Sequence, residues 1–260
     1  MLTFCNNFGI TPTKNYEAAG YDFYVPNIND KDVVKLTNYV FPAFKTLFGV
    51  DKPQIDSIAK ALMDCIFDNF YIDGDDEKDL VSFNESNRAC AMTNRYNIVH
   101  LYLAWMYKNK LPLFDISGRP ALTPVSKFVY EKLAINVKEN LVGVTLEAGD
   151  TLMITSGIRE KVPSGYAGVF MNKSGRGSSG YDVRACVIDE DYTGYVSLNV
   201  AFTSSNSKQS LIYCGDKLVQ QLVLPLYKDA VNEVSDEEFD KITSGSKRGN
   251  SGFGSSNEKH

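Results

Sequence analysis

An aspartate delivered by an apolar run, followed at once by polar residues and a glycine, is a place where a base can work. The segment Ala185-Cys186-Val187-Ile188-Asp189-Glu190-Asp191-Tyr192-Thr193-Gly194-Tyr195-Val196 has that form. Read as a hairpin with the acid at its rim, its apolar flanks fix the backbone while the turn exposes the acid, which suits proton abstraction from water or the anchoring of a metal. Asp and Gly are also ordinary residues of a surface turn, so the segment needs company. The loop Asn172-Lys173-Ser174-Gly175 offers an ammonium, a hydroxyl and unhindered backbone N–H groups, a combination able to cradle phosphate oxygens. Gln220 shares strand parity with Leu218, Leu222 and Leu224, which places an amide on their side of a sheet. Such an amide is either a packed core group or one aimed into a site between subunits.

Other chemical candidates fail on spacing. Gly175-Arg176-Gly177-Ser178-Ser179-Gly180 matches GxGxxG in letters, but a dinucleotide fingerprint follows a strand and opens a helix, and Tyr181 to Ile188 reads as continuing strand. The acidic run Asp73-Gly74-Asp75-Asp76-Glu77-Lys78 puts a lysine where a calcium loop needs glycine, and Asn84 where it needs glutamate. It reads as a solvated loop. His100 and His260 are the only histidines, too few for a zinc site or a His-based triad, so His100 reads as structural.

The elements that must position these groups follow from periodicity. Val142, Val144 and Leu146, and later Val196, Leu198, Val200 and Phe202, recur with period two. Ala148-Gly149-Asp150, Pro163-Ser164-Gly165 and Cys214-Gly215-Asp216 are turns between short strands, with no helices long enough for βαβ crossovers. A jelly roll or barrel of antiparallel strands is implied. From about Asn27 to Asn140 the period changes: Ile55, Ile58, Ala59, Leu62, Ile66 and Phe70 follow Asp51 and Pro53 at helical spacing. A second helix runs from Asn97 to Lys108 with a stripe of Ile98, Leu101, Tyr102 and Trp105; a third, around Val33, Leu36, Val40 and Phe44, is interrupted by Pro42. Lys228 to His260 turns acidic and then Gly/Ser-rich, which suits either a mobile tail or a flap whose arginine takes phosphate and whose ring stacks on a base.

Composition sets the outer limits. The chain has 260 residues, 43% of them hydrophobic, enough for a sizeable core. A net charge of -5 argues against a broad nucleic-acid-binding face, though not against a small anionic ligand. Cys5, Cys65, Cys90, Cys186 and Cys214 are scattered without CxxC pairs, as free thiols in a reducing compartment would be. With no basic-then-apolar leader and no membrane-length apolar run, the expectation is a soluble cytoplasmic protein, in the host cytoplasm for a viral gene.

Five segments in order, Ala19-Gly20-Tyr21-Asp22-Phe23, Asn172 to Gly175, Ala185 to Gly194, Gly215-Asp216-Lys217-Leu218-Val219-Gln220, and Arg248-Gly249-Asn250-Ser251-Gly252-Phe253-Gly254-Ser255, together resemble the five motifs of the trimeric dUTP diphosphatases (dUTPases). The resemblance covers the N-terminal arm and about the last 120 residues, and is to an Asn-Lys-Ser-Gly form of the second motif. It implies a mainly β, jelly-roll β-barrel with an inserted α-helical region. The expected parts are residues 1–26 (first motif and N-terminal strand), 27–140 (helical insertion), 141–240 (jelly-roll core) and 241–260 (flexible arm with the fifth motif).

By the same resemblance, Asp189 is the base that activates water against the α-phosphorus of dUTP, giving dUMP and pyrophosphate. Tyr192 packs beneath the deoxyribose, and Val187, Ile188 and Ser197 align with backbone positions that read uracil. Lys173, Ser174 and Gly175 match the phosphate loop, and Gln220 the amide beside phosphates and water. Arg248 and Ser255 reach the γ-phosphate, with Gly254 beside them and Phe253 over the uracil. Magnesium is expected on the triphosphate, with Asp22 near its water shell. Lys173 where many members have arginine exchanges a bidentate contact for a point charge. A homotrimer exchanging C-terminal arms is implied, without nucleic acid or membrane. The insertion lies outside the resemblance, and its apolar stripes require a satellite core, a trimer neighbour or a protein partner. The alternatives are a dCTP deaminase of the same fold, bifunctional or not, and a nucleotide-switched protein-binding module that uses the inserted helices.

Overall fold

The computed structural model describes residues 1–15, 17–28, 49–68, 85–204 and 207–246. Its strands are β1 (Thr3–Asn6), β2 (Tyr21–Tyr24), β3 (Leu133–Asn136), β4 (Leu141–Glu147), β5 (Thr151–Lys161), β6 (Tyr166–Asn172), β7 (Tyr181–Val183), β8 (Val187–Ile188), β9 (Tyr195–Phe202), β10 (Gln209–Tyr213) and β11 (Lys217–Pro225). They form three antiparallel sheets in the orders β1-β5-β9-β7, β10-β4-β3 and β2-β11-β6-β8. The helices are α1 (Lys52–Asp68), α2 (Glu85–Thr93), α3 (Arg95–Asn109), α4 (Leu122–Lys127), α5 (Ser174–Ser178) and α6 (Asp236–Thr243), with one π turn at Phe128–Lys132. The architecture is mainly β with helices between β2 and β3.

The period-two residues face inward as their spacing requires: Val142, Val144, Leu146, Val196, Leu198, Val200 and Phe202 are all buried. The three predicted turns are present, with Gly149, Gly165 and Gly215 at φ of 99°, 82° and 95°. In β9 the alternation breaks down because Asn199 and Ala201 are buried as well. That strand lies inside its sheet, between β5 and β7.

Helix α1 begins with a reciprocal cap: Gln54 N–H donates to Asp51 Oδ1 at 3.1 Å, and Asp51 N–H donates to Gln54 Oε1 at 3.0 Å. Pro53 sits in the first turn, where its missing N–H costs nothing. Ile55, Ile58, Leu62 and Ile66 form the buried stripe. The third predicted helix, around Val33 to Phe44, and the acidic run from Asp73 to Lys78 lie outside the described residues.

Helix α3 departs from its predicted single stripe, since every residue from Asn97 to Met106 is buried. It packs on β5 and β4 with one face and on α1 with another, so its side chains and those of the sheets form one core. A helix apolar all round belongs inside. Tyr102, Trp105 and Phe128 make an aromatic cluster with ring centroids 5.3–6.3 Å apart. The stripe of α1 is therefore covered by α3 and α3 by the sheets, in one core continuous with the β strands rather than in a satellite core. Among the described residues, no helix is long and apolar enough to cross a membrane.

Polar side chains secure the junctions. Buried Asn97 accepts from Ile28 N–H at 2.8 Å and donates to Ile28 C=O at 3.1 Å, tying the chain after β2 to α3. Lys132, at the end of the π turn, is buried and pairs with Asp150 at 2.8 Å and Glu147 at 3.2 Å across the β4–β5 turn. None of the five cysteines forms a disulfide. Residues from Tyr227 onward form a separate unit whose described part contains α6, capped by Ser235 accepting from Glu238 N–H.

Two local expectations are corrected. The strands flanking Asp189 are not partners in a hairpin: β8 pairs with β6, whereas β9 pairs with β5 and β7, so the acid sits where the chain crosses between sheets. Tyr181 to Ile188 is likewise not one strand, because Ala185 adopts φ 52° and separates β7 from β8. The glycine-rich segment does follow a strand and form the short helix α5. Its next strand, β7, runs antiparallel to β9, so there is no βαβ unit.

Asn97→Ala would leave both Ile28 backbone groups buried and unpaired, and we expect it to cost about 2–3 kcal/mol of stability, measured by urea denaturation.

Candidate functional site

The phosphate-loop residues sit at the end of β6. Asn172 holds the loop from within: its Oδ1 accepts from Val183 N–H at 2.8 Å, and its backbone C=O accepts from Gln220 Nε2 at 2.9 Å. Gly177 N–H donates to Lys173 C=O at 2.7 Å, closing the turn into α5. Ser174 and Gly175 are left exposed, and a Cβ at Gly175 would meet nothing within 4 Å. Their hydroxyl and backbone groups are open to a ligand.

Charge organises this end of the molecule. Asp22 on β2 lies between two ammonium groups, pairing with Lys173 and, at 3.0 Å, with Lys217. Burial opposes ionisation of Asp22, but hydrogen bonds and charge from Lys173 and Lys217 outweigh it and hold the carboxyl below its ordinary value. Arg176 is anchored in turn by Asp216 at 2.6 Å and by the Lys217 C=O. The structure thus brings together Asp22, Lys173, Ser174, Gly175 and Gln220 from three motifs. The Arg176–Asp216 pair was missed in the sequence, although an acid in the Gly215-Asp216 turn was the available signal.

Asp189 and Tyr192 occupy a different place. The Tyr192 hydroxyl donates to Tyr195 C=O at 2.7 Å, and its ring lies against Gly194, where a Cβ would be 2.5 Å from the hydroxyl oxygen. Asp189 is exposed, as is Val187; Ile188 and Ser197 are half-buried. Gly168 is opposite Ile188 in the β6–β8 register, while Lys173 lies just past the far end of β6. At 3.3 Å per residue, roughly 20 Å separates Asp189 from the phosphate loop along that strand. Arg248, Phe253, Gly254 and Ser255 lie outside the described residues.

Beneath the Asp189 loop is a pair that went unnoticed in the sequence. Glu160 on β5 and Gln221 on β11 are both buried, with Gln221 Nε2 donating to Glu160 Oε1 at 2.6 Å. Burial pushes the Glu160 carboxyl up to about 7, only partly countered by that bond. The signal was parity, since Glu160 alternates with buried Ile158 and Val162. On β11 the residues either side of Lys217 and Val219 shift register, so parity from Leu218 misjudges which glutamine goes inward. Gln221 is buried and Gln220 half-exposed. His100 is fully buried, which holds it neutral with a value near 3, in keeping with a structural place.

A protein-held metal finds no fit here. Among the described residues no cluster of three or more His, Cys, Asp or Glu side chains could hold an ion, and Asp22, the acid expected near one, is counter-ion to two lysines.

A mainly β scaffold with a cationic, hydroxyl-bearing loop and an exposed carboxylate on a crossing between sheets carries the groups that hydrolysis of a phosphate ester or anhydride requires. The comparisons with known proteins narrow this. Residues 139–257 match the dUTPase family model. The deoxyuridine 5'-triphosphate nucleotidohydrolase of Escherichia phage T5 is 32% identical over 113 residues, which are 43% of this chain and 72% of that protein. The chain belongs to the dUTPase family and, with it, to the dUTP diphosphatases.

Solved structures of similar proteins include a point variant of the dUTPase from phage phi11 of S. aureus, described with a structural Mg(II) ion (23% identity, TM-score 0.33, covering 37% of this chain and 80% of that one). Others are the EIAV dUTPase (18%, TM-score 0.33, 41% and 92%) and a point variant of the Staphylococcus bacteriophage 80alpha dUTPase with dUpNHpp (21%, TM-score 0.38, 44% and 80%). These overlays cover less than half of this chain, and family membership rests on the sequence matches.

Asp22→Asn tests the charge cluster. A carboxyl held below its ordinary value contributes stability above pH 4 that disappears as pH falls through the folded-state value. The wild type should therefore lose more stability than the variant between pH 5 and pH 2, read as the difference in Tm across that range.

Proposed function

We propose that this chain hydrolyses dUTP to dUMP and pyrophosphate in sites assembled between the subunits of a homotrimer, with Asp189 as the general base. The observation that carries the reading is the separation of two half-sites. Lys173, Ser174, Gly175 and Gln220 lie at one end of β6, and Asp189 with Tyr192 on a loop near the other. One nucleotide cannot span both within a chain, whereas a neighbouring copy can supply the missing half.

In this reading Asp189, exposed on a loop held at both ends, takes a proton from the water that attacks the α-phosphorus. Lys173 turns from Asp22 to the phosphates, and the Ser174 hydroxyl and Gly175 N–H donate to phosphate oxygens as charge shifts towards the leaving pyrophosphate. Gln220 orients the water from beside Asn172. Tyr192, held by Tyr195 C=O and crowded against Gly194, presents its ring to the deoxyribose and leaves no space for a 2'-hydroxyl. Backbone groups of Val187, Ile188 and Ser197 read the uracil edge. From a neighbour's arm, Arg248 and Ser255 take the γ-phosphate while Phe253 covers the base and Gly254 permits close approach. Magnesium belongs to the triphosphate rather than to a protein cage, and each role above is one of the chain's own residues.

The purified protein should release pyrophosphate from dUTP and no ammonia from dCTP; ammonia release would favour a deaminase instead. Asp189→Asn should lower kcat by about 10³-fold while a nucleotide analogue still binds, as measured by calorimetry. Turnover at the wild-type rate would remove Asp189 from this role. Tyr192→Ala should raise the UTP to dUTP ratio of kcat/KM by about 10–100-fold.

A further inference from the structure

We propose that the buried Glu160–Gln221 pair positions the loop bearing Asp189 and Tyr192, making Glu160 and Gln221 positioning residues of the hydrolytic reaction; this rests on the reading of Asp189 as the base. The pair joins two sheets at one point. Glu160 belongs to β5, in the sheet that contains β9, and Gln221 to β11, in the sheet that contains β8. The Asp189 loop runs from β8 to β9, so its two anchor strands lie in the two sheets that this hydrogen bond connects.

The loop is also gripped by the immediate neighbours of Glu160. Arg159 Nε donates to Thr193 C=O at 2.8 Å, and Lys161 Nζ donates to Glu190 C=O. The Glu190 carboxylate accepts from Gly165 N–H. One short stretch of β5 therefore reaches carbonyls on both sides of Tyr192. From the other sheet, Gln221 Nε2 fills the space over Gly168, where a Cβ would be 2.3 Å away, and Gly168 is the β6 residue opposite Ile188. Ile188 immediately precedes Asp189. Displacing either member of the pair moves an anchor of the loop.

The hydrogen-bonding capacity of the pair indicates two arrangements. Glu160 Oε2 and Gln221 Oε1 have no hydrogen-bond partner among the described residues. Ionised, Glu160 accepts from Gln221 Nε2 as observed; protonated, it donates to Gln221 Oε1 after the amide turns over. Turning the amide exchanges the group packed on Gly168. Tyr192 is the titratable group that faces Glu160 from the loop, and the Glu160 charge, after burial, raises that phenol. Gly168 and Ile188 from β6 and β8 and Phe4 from β1 bring no charge, while Arg159 and Lys161 are exposed on the opposite parity of β5. A carboxyl that titrates near 7 makes the exchange accessible under ordinary conditions.

The test compares wild type, Glu160→Gln, the double variant Glu160→Leu with Gln221→Leu, and Asp189→Asn, all as full chains acting on dUTP. An apolar replacement of a buried polar pair often preserves or raises stability, so the double variant separates folding from positioning. We expect its Tm at or above that of the wild type, its kcat about tenfold lower and its KM within twofold. The wild-type kcat profile should show an acid-side inflection near pH 7 that is absent in Glu160→Gln. A double variant with wild-type kcat, or an inflection retained in Glu160→Gln, overturns the proposal. If the double variant does not fold, the Glu160→Gln profile decides. Turnover by Asp189→Asn defeats the reading of the base itself, whereas an inactive Asp189→Asn beside an unaffected pair variant overturns the positioning role alone.

Discussion

The pairing of β5 with β9 is the constraint on which the rest of the molecule depends. Leu152 opposite Val200 and Ile154 opposite Leu198 set the register of the central sheet, and the face of β5 also receives α3. After Thr155 the register shifts until Arg159 meets Tyr195. The irregular stretch admits the N-terminal segment: Gly157, at φ 72°, accepts from Asn7 N–H at 3.1 Å, and a Cβ on it would come within 2.6 Å of Gly9 N. Ser156 Oγ donates to Val196 C=O at 2.8 Å and keeps β9 attached through the irregularity. What emerges is the Arg159-Glu160-Lys161 stretch facing the Asp189 loop, so a bulge in the core aims the surface.

At the other end of the sandwich, attraction between opposite charges does the positioning. Asp22 from the edge strand β2 and Asp216 from the β10–β11 turn neutralise Lys173, Lys217 and Arg176, which would otherwise repel one another within a single loop cluster. The carboxylates hold these cations in place, and in the proposed reaction phosphate oxygens take the place of Asp22 at Lys173. Such preorganisation fits chemistry that consists mainly of placing charge.

The inserted helices are part of this framework rather than an appendage. Helix α3 packs on β4 and β5, and buried Asn97 and Lys132 fasten its surroundings to the chain after β2 and to the β4–β5 turn. A polar residue buried with all its bonds made specifies one arrangement where apolar contacts alone would tolerate several. The strand that supports the loop is thereby held by an inserted helix as well as by its own sheet.

Local patterns were legible before any fold was known. The period of Val142 to Leu146 and of Val196 to Phe202, the three glycine turns and the Asp51 cap of α1 follow from interactions between near neighbours, and so did the residue types at Asp189, Lys173 and Gln220. The glutamine that goes inward was not legible, because a register shift on β11 reverses the parity counted from Leu218. The full burial of α3 was hidden as well, since a helix read alone shows one stripe and only its contacts with β5, β4 and α1 close the others. By itself the sequence determined the chemistry available, the order of the motifs and the family, because these reside in residue types and their spacing. Only the tertiary structure decided that Asp22 is held between two lysines, that the Asp189 loop bridges two sheets over Glu160 and Gln221, and that its carboxylate stands apart from the phosphate loop. Those facts depend on which strands pair, and pairing is a long-range outcome of burying one shared core.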